Sequence, residues 1–298
     1  MDARWRPTVA LVALVALVPA TSACGTSGHD GRVEVVAAFY PLAWAAREVG
    51  GNRVDVEDLT PPGTEAHDTT LTAAQRGDLS TAALVVYLGD LGFQPDVERA
   101  VQDAQGRVVA VADGLQLLPS TEGDLTADPH VWLDPVLMDR IVRRVADGLV
   151  AADPGHETGY RDREEATLSL LGSIDEAYRE ALEGCAFTTF VTTHQAFGYL
   201  AARYGLHELG IEGLTPESEP SADRIEQASS AIEQKGAAPA VFYEATDEGR
   251  RVGQSVAADV GVPAIPLGTL ESEPSSGDYP SVMRANLAGL QGGLRCGR

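Results

Sequence analysis

Six histidines occur in the chain, and three of them stand in settings suited to chemistry. His67 lies in Pro61-Pro62-Gly63-Thr64-Glu65-Ala66-His67-Asp68, a loop expected to leave a strand. His130 lies in Asp128-Pro129-His130-Val131-Trp132-Leu133-Asp134-Pro135, just ahead of a helix. His194 follows Phe190-Val191-Thr192-Thr193, at the carboxyl end of a strand. Open α/β sheets hold ligands beyond the carboxyl ends of their strands, so these imidazoles are aimed at a ligand edge. Three neutral imidazoles suit a borderline transition metal, zinc above all. A fourth donor would close a tetrahedron. Glu271, beyond the last strand in Pro266-Leu267-Gly268-Thr269-Leu270-Glu271, is the first candidate. Glu244, after Ala240-Val241-Phe242-Tyr243, competes by the same geometry. His29 is read as a tether residue, His156 as a helix-start residue and His207 as a surface residue. Trp132, Phe197 and Tyr243 lie near the proposed donors and are read first as core packing, second as a shield. Imidazoles must be deprotonated to bind metal, so affinity is expected to fall steeply below about pH 6.

Strands and helices alternate in the way such a site requires. Strands are expected at Arg32–Ala38, Val54–Leu59, Ala83–Leu88 and Val108–Val111, with helices at Pro41–Val49, Leu71–Leu79 and Val97–Ala104 between them. Asp134 as N-cap and Pro135 in the first turn open a helix running to about Ala151. A second long helix, from roughly Pro154 to Glu183, carries apolar residues three or four apart at Leu168, Leu171, Ile174, Ala177 and Ala181. Thirty helical residues extend about 45 Å, enough for a rigid spine between two lobes. The alternation then restarts. Strands are expected at Phe187–Thr193, Ala240–Glu244 and Ala264–Leu267, and helices at Gln195–Tyr204, Ala222–Lys235, Glu248–Val260 and Tyr279–Leu290. The expected fold is therefore α/β: two lobes of parallel sheet joined by a long rigid helix. The boundaries are 33–151 for the first lobe, 152–184 for the connecting helix and 185–298 for the second lobe.

The chain has 298 residues, with 22 Lys+Arg against 44 Asp+Glu and a formal net charge of −22. Lys235 is its only lysine. Such an acidic surface repels phosphates and excludes nucleic acid as a partner. Arg4 and Arg6 precede an apolar run from Val9 to Val18, and Pro19 to Ala23 are small or turn-forming. That pattern makes residues 1–23 a secretory signal, too short in its apolar part to span a bilayer comfortably. Export places the remaining chain in an oxidising compartment. Of the three cysteines, Cys24 ends the signal, while Cys185 and Cys296 are expected to pair as a disulfide that pins the tail.

Thr21-Ser22-Ala23-Cys24 resembles a bacterial lipoprotein box, which makes Cys24 a lipidation site and residues 24–32 a flexible tether to the outer face of the cell membrane. The motifs Pro-Pro-Gly-x-x-x-His, Asp-Pro-His-x-Trp-Leu-Asp-Pro and Thr-His-x-Ala-Phe-x-Tyr-Leu occur here in the order seen in metal-binding lipoproteins of zinc and manganese ABC importers. Leu214-Thr215-Pro216-Glu217-Ser218-Glu219-Pro220-Ser221 is similar to the segment after that family's third motif. The resemblance covers about residues 33–292. It implies two α/β lobes holding metal between them, with ligands at His67, His130, His194 and, last, Glu271, where the family commonly has aspartate. Manganese members tend to carry a glutamate in place of His194, so this chain is expected to bind Zn2+ rather than Mn2+. Many zinc members also carry a long His-rich loop before the second histidine. Here Leu115–Ala127 is short, with Glu122 and Asp124 its only charges.

The resemblance implies a non-enzymatic extracytoplasmic zinc-binding protein that serves an ABC-type metal permease. A metallochaperone is a candidate donor, and the chain is expected to act as a monomer. A secreted zinc hydrolase competes, with three histidines, an open position for water and Glu271 or Glu244 as base. A manganese-binding member and a surface adhesin are the other readings, and no residue points specifically to the last.

Overall fold

The computed structural model describes residues 1–2, 31–120, 122, 124–215 and 222–297. The expected signal beyond residue 2, the Cys24 anchor, most of the tether and residues 216–221 lie outside the described residues. In the first half, β1 (Val33–Ala37), α1 (Tyr40–Gly50), β2 (Val54–Asp58), α2 (Ala73–Thr81), β3 (Leu84–Tyr87), α3 (Pro95–Ala100) and β4 (Arg107–Ala110) follow one another. The helices α4 (Pro135–Ala152) and α5 (Glu157–Leu182) come next. The second half runs β5 (Thr189–Thr192), α6 (Gly198–Arg203), β6 (His207–Gly210), α7 (Ala222–Glu233), β7 (Val241–Glu244), α8 (Asp247–Val260), β8 (Ala264–Leu267) and α9 (Tyr279–Gly293).

All strand pairs are parallel, in two sheets ordered β2-β1-β3-β4 and β6-β5-β7-β8. Each sheet thus uses the same order: its first strand sits inside, flanked by its second and third. Every residue of β3 is buried, as expected of an inner parallel strand covered on both faces. Phe190 of β5 joins the main apolar core while its neighbour Val191 joins a smaller cluster with Ile211, Val241 and Val256, the alternation of a pleated strand. The main core is continuous across both sheets and includes Val35, Val85, Trp132, Phe242 and Leu267.

Sequence reading left β6 out. Its four residues, His-Glu-Leu-Gly, carry one apolar side chain, and Leu209 is itself 38% exposed because the strand lies at an edge. A short polar edge strand has no apolar period to reveal it. His207, expected at the surface, is the exposed first residue of that strand.

Local chemistry explains the helix ends nearest the site. The Asp134 side chain accepts from the backbone N–H groups of Val136 and Leu137, and Pro135 opens α4. The 26 residues of α5 span about 39 Å, starting after a short turn at Pro154–His156. One part of α5 grips the first half: Arg163 donates to the carbonyls of Val49 (2.6 Å) and Gly50 (3.1 Å) at the end of α1. Another grips the second: the Tyr178 hydroxyl donates to the Met283 carbonyl in α9 at 2.7 Å. A disulfide joins Cys185 and Cys296, tying the end of the chain to the entry of β5. Among the described residues no helix is long and apolar enough to cross a membrane.

Candidate metal centre

Four chain segments converge at one buried point between the sheets. The loop after β2 turns at Gly63, whose φ of +77° favours glycine, and ends in a 3-10 turn, Ala66–Asp68, that carries His67. The Ala66 N–H donates to Glu271 Oε2 at 3.1 Å, so this loop is fastened to the far lobe's carboxylate. His130 precedes the turn Val131–Leu133 that leads into α4. His194 stands two residues beyond β5, and Glu271 four residues beyond β8. Leu270 adopts φ +61°, a left-handed conformation that costs a non-glycine residue about 1–2 kcal/mol. The Trp132 indole N–H donates to the neighbouring Thr269 carbonyl at 2.7 Å, which holds this strained turn in place.

The four donor sets lie within reach of a single ion. Glu271 Oε1 is 3.5 Å from His67 Nε2, 3.4 Å from His130 Nε2 and 3.9 Å from His194 Nδ1. Donors about 2.1 Å from a tetrahedral zinc lie about 3.4 Å from one another, so the spacing of Glu271 from His67 and His130 is close to the edge of that tetrahedron. His67 Nδ1 and Nε2, His130 Nε2 and Glu271 Oε1 are buried with no hydrogen-bond partner among the described residues. Each such atom costs about 1–3 kcal/mol unless something satisfies it, and a cation would satisfy three at once.

Hydrogen bonds behind the rings select the nitrogen that faces inward. Asp128 Oδ1 lies 2.9 Å from both the backbone N–H and ring Nδ1 of His130, which leaves Nε2 for a ligand. His194 Nε2 lies 3.0 Å from the Leu214 carbonyl, an acceptor only, so Nε2 carries a proton and Nδ1 is the nitrogen that could ligate. Glu244 Oε2 sits 3.2 Å from that Nδ1, and Glu244 Oε1 accepts from the Thr269 hydroxyl. The ion-free electrostatics follow from this crowding. Burial disfavours a charged His194, yet the Glu244 and Glu271 carboxylates overcome it and raise its pKa to about 10. His130 is also raised, by Asp128 and Glu271 against burial. Glu271 is held well below the ordinary carboxylate range by the three imidazoles, again against burial. Burial together with Glu244 and Glu271 pushes Glu65 up to about 9.

Of the residues singled out by sequence, His67, His130, His194 and Glu271 come together. Glu244 reaches only His194 among the imidazoles and forms a second, oxygen-only group with Glu65 and Glu271. Trp132 lies against His130, with ring centroids 5.2 Å apart. Tyr243 does not line the site: its side chain lies where a Cβ on Gly253 of α8 would be. Phe93 instead packs on His67 at 4.5 Å, a contact sequence reading missed. Asp128 was visible as the acid two residues before His130, but nothing distinguished Glu65 among 44 acidic residues. Exchanging Glu271 for Gln is expected to weaken zinc binding more than exchanging Glu244 for Gln, since only Glu271 faces all three imidazoles. Competition against a chromophoric chelator ranks the two, and a larger loss for Glu244→Gln would reverse the assignment.

A family model described as zinc-uptake complex component A, periplasmic, matches residues 35–293. The high-affinity zinc uptake system protein ZnuA of Bacillus subtilis is 28% identical over 299 residues, covering 92% of this chain and 93% of its own length. The zinc-binding lipoprotein AdcA of Streptococcus pneumoniae is 30% identical over 281 residues, covering 88% of this chain. The chain spans 56% of that relative's length. Among solved structures, the Zn(II)-bound ZnuA-like domain of Streptococcus pneumoniae AdcA is similar with a TM-score of 0.76 at 29% identity, covering 89% of this chain and 99% of that one. The laminin binding protein Lmb of Streptococcus agalactiae gives 0.80 at 28%, covering 88% and 99%.

Proposed function

The chain belongs to the ZnuA family of zinc-uptake solute-binding proteins, and we propose that it captures zinc outside the cytoplasm and hands it to an ABC permease. The carrying observation is the cluster of buried, unpartnered donor atoms on His67, His130 and Glu271, with His194 Nδ1 as the fourth corner. In this reading His67 and His130 ligate through Nε2, His194 through Nδ1 and Glu271 through Oε1. Three nitrogens and one carboxylate suit zinc, whereas an oxygen-rich set would suit manganese. Four donors within 4.8 Å of one another can close the coordination sphere, which favours a carrier site over a hydrolytic one with an open water position. Zinc is the cargo here. Members of this solute-binding family are not enzymes, and their location is extracytoplasmic. Removal of residues 1–23 and lipidation of Cys24 would keep this chain beside its permease. A metallochaperone donor and a monomeric state belong to the same proposal.

Calorimetric titration with zinc tests the reading. Wild type is expected to take one zinc per chain, and the His67→Ala/His130→Ala/His194→Ala variant to lose that uptake. Equal uptake by both would overturn the reading. Repeating the titration at pH 7 in buffers of different ionisation enthalpy should show at least one proton released per zinc. His194 keeps its proton to about pH 10 in the ion-free site and must shed it to ligate. Affinity should therefore rise with pH through the neutral range. The ion-free fold has the opposite dependence. A raised histidine pKa contributes stability that is full below about pH 6.5 and is lost as pH climbs through about 10.

A further inference from the structure

The short segment 118–128 has a structural use of its own. Its end residues meet where the Asp128 N–H donates to the Leu118 carbonyl at 3.0 Å. The Tyr199 hydroxyl, from α6 in the second half, clips both ends: it accepts from the Leu118 N–H (2.9 Å) and donates to the Asp128 carbonyl (2.7 Å). Within the loop the Glu122 backbone is fixed by its N–H donating to Ser120 Oγ at 2.9 Å and by the Leu125 N–H donating to its carbonyl at 3.2 Å. The Glu122 side chain then reaches across to the turn after β6. Its carboxylate accepts from the Leu214 N–H, from the Thr215 N–H at 3.2 Å and from the Thr215 hydroxyl at 3.0 Å. A Cβ on Gly213 would lie 1.7 Å from Glu122 Oε1, so this approach requires glycine there.

That turn holds the third histidine from two sides. The Leu214 carbonyl accepts from His194 Nε2, and the Gly213 carbonyl accepts from the Gln195 N–H, each at 3.0 Å. We propose that Glu122 is a positioning residue for zinc: from the first lobe it fixes the Gly213–Thr215 turn of the second, and through that turn it keeps the His194 ring with Nδ1 toward the ion and slows zinc release. A bidentate carboxylate on backbone N–H groups is a charge-assisted anchor, stronger than neutral bonds of equal length. The inference rests on the zinc reading above and adds to it a residue that touches neither ion nor ligand. Where other zinc members carry a histidine-rich loop, this chain would carry a latch.

Zinc-loaded full chain is mixed with excess chromophoric chelator, and the rate of zinc loss is read for wild type, Glu122→Ala, Glu122→Gln, Gly213→Ala and Glu122→Ala/Gly213→Ala. Loss of an orienting partner costs about 10- to 100-fold in metal affinity, so Glu122→Ala and Gly213→Ala should each release zinc about tenfold faster or more. Glu122→Gln, keeping one acceptor oxygen, should fall between Glu122→Ala and wild type. The double variant should be no faster than Glu122→Ala alone, because the three atoms nearest the new methyl all belong to Glu122. The rise in melting temperature on adding zinc should shrink in Glu122→Ala. An unchanged release rate in Glu122→Ala overturns the proposal, and so does a melting temperature lowered equally with and without zinc. A wild-type chain that takes up no zinc overturns the carrier reading instead.

Discussion

His130→Ala is expected to weaken zinc binding by about two to three orders of magnitude. Four-ligand structural zinc sites have apparent binding free energies of about 10–16 kcal/mol, so one ligand in four is worth about 2.5–4 kcal/mol. At about 1.4 kcal/mol per factor of ten, that is about 10²- to 10³-fold. His130 is fully buried, and its Nε2 has no other partner among the described residues, so solvent does not readily replace it. The companion substitution Asp128→Ala should cost less, about 10- to 100-fold, because it leaves the donor atom and removes the bond that orients it. Competition titrations of both variants give the ranking. If Asp128→Ala lost as much affinity as His130→Ala, His130 would not be a direct ligand.

The second large effect falls on stability. Trp132→Ala is expected to lower the free energy of unfolding of the ion-free protein by about 3–5 kcal/mol. Domains hold only about 5–15 kcal/mol in total, so this is a severe loss. Trp132 is completely buried, edge-on to Phe39 at 4.7 Å and tilted to Phe93 at 5.6 Å. Its indole N–H donates to Thr269, and its carbonyl accepts from the Tyr279 hydroxyl at 2.6 Å. One side chain from the first half thus plugs the core and pins the strained turn before Glu271. Trp132→Phe should cost less, since the ring volume is mostly kept, while the Thr269 carbonyl loses its donor at about 1–3 kcal/mol. Urea unfolding monitored by circular dichroism measures both. A Trp132→Ala midpoint at the wild-type value would show that the turn and core do not depend on the indole.

Much of this arrangement could be read from residue types because strand ends are marked chemically. Buried runs such as Leu84–Tyr87 announce inner parallel strands, and Asp134-Pro135 announces the start of α4. Once those elements are set, the carboxyl ends of β5 and β8 lead to His194 and Glu271, and β2 to His67. Side-chain reach was harder to read. Glu244 and Glu271 both follow strands of one sheet, and only packing separates them: Thr269 and His194 occupy Glu244, while Glu271 faces all three rings. Glu65 and the Glu122 contact were invisible because exposed and buried carboxylates look alike in a chain this acidic. The order of strands in the second sheet was illegible too, since β6 has no apolar rhythm.

The division of donors between the halves has one more consequence. His67 and His130 belong to the first lobe, His194 and Glu271 to the second. Each lobe alone is therefore a two-armed chelate of modest strength. In the proposed zinc carrier, tight binding would be the avidity of two such chelates, held at a fixed effective concentration by α5, whose bonds reach α1 on one side and α9 on the other. A permease that parted the lobes slightly would dilute one chelate from the other and lower affinity toward that of a single chelate, without protonating or chemically altering a single donor atom.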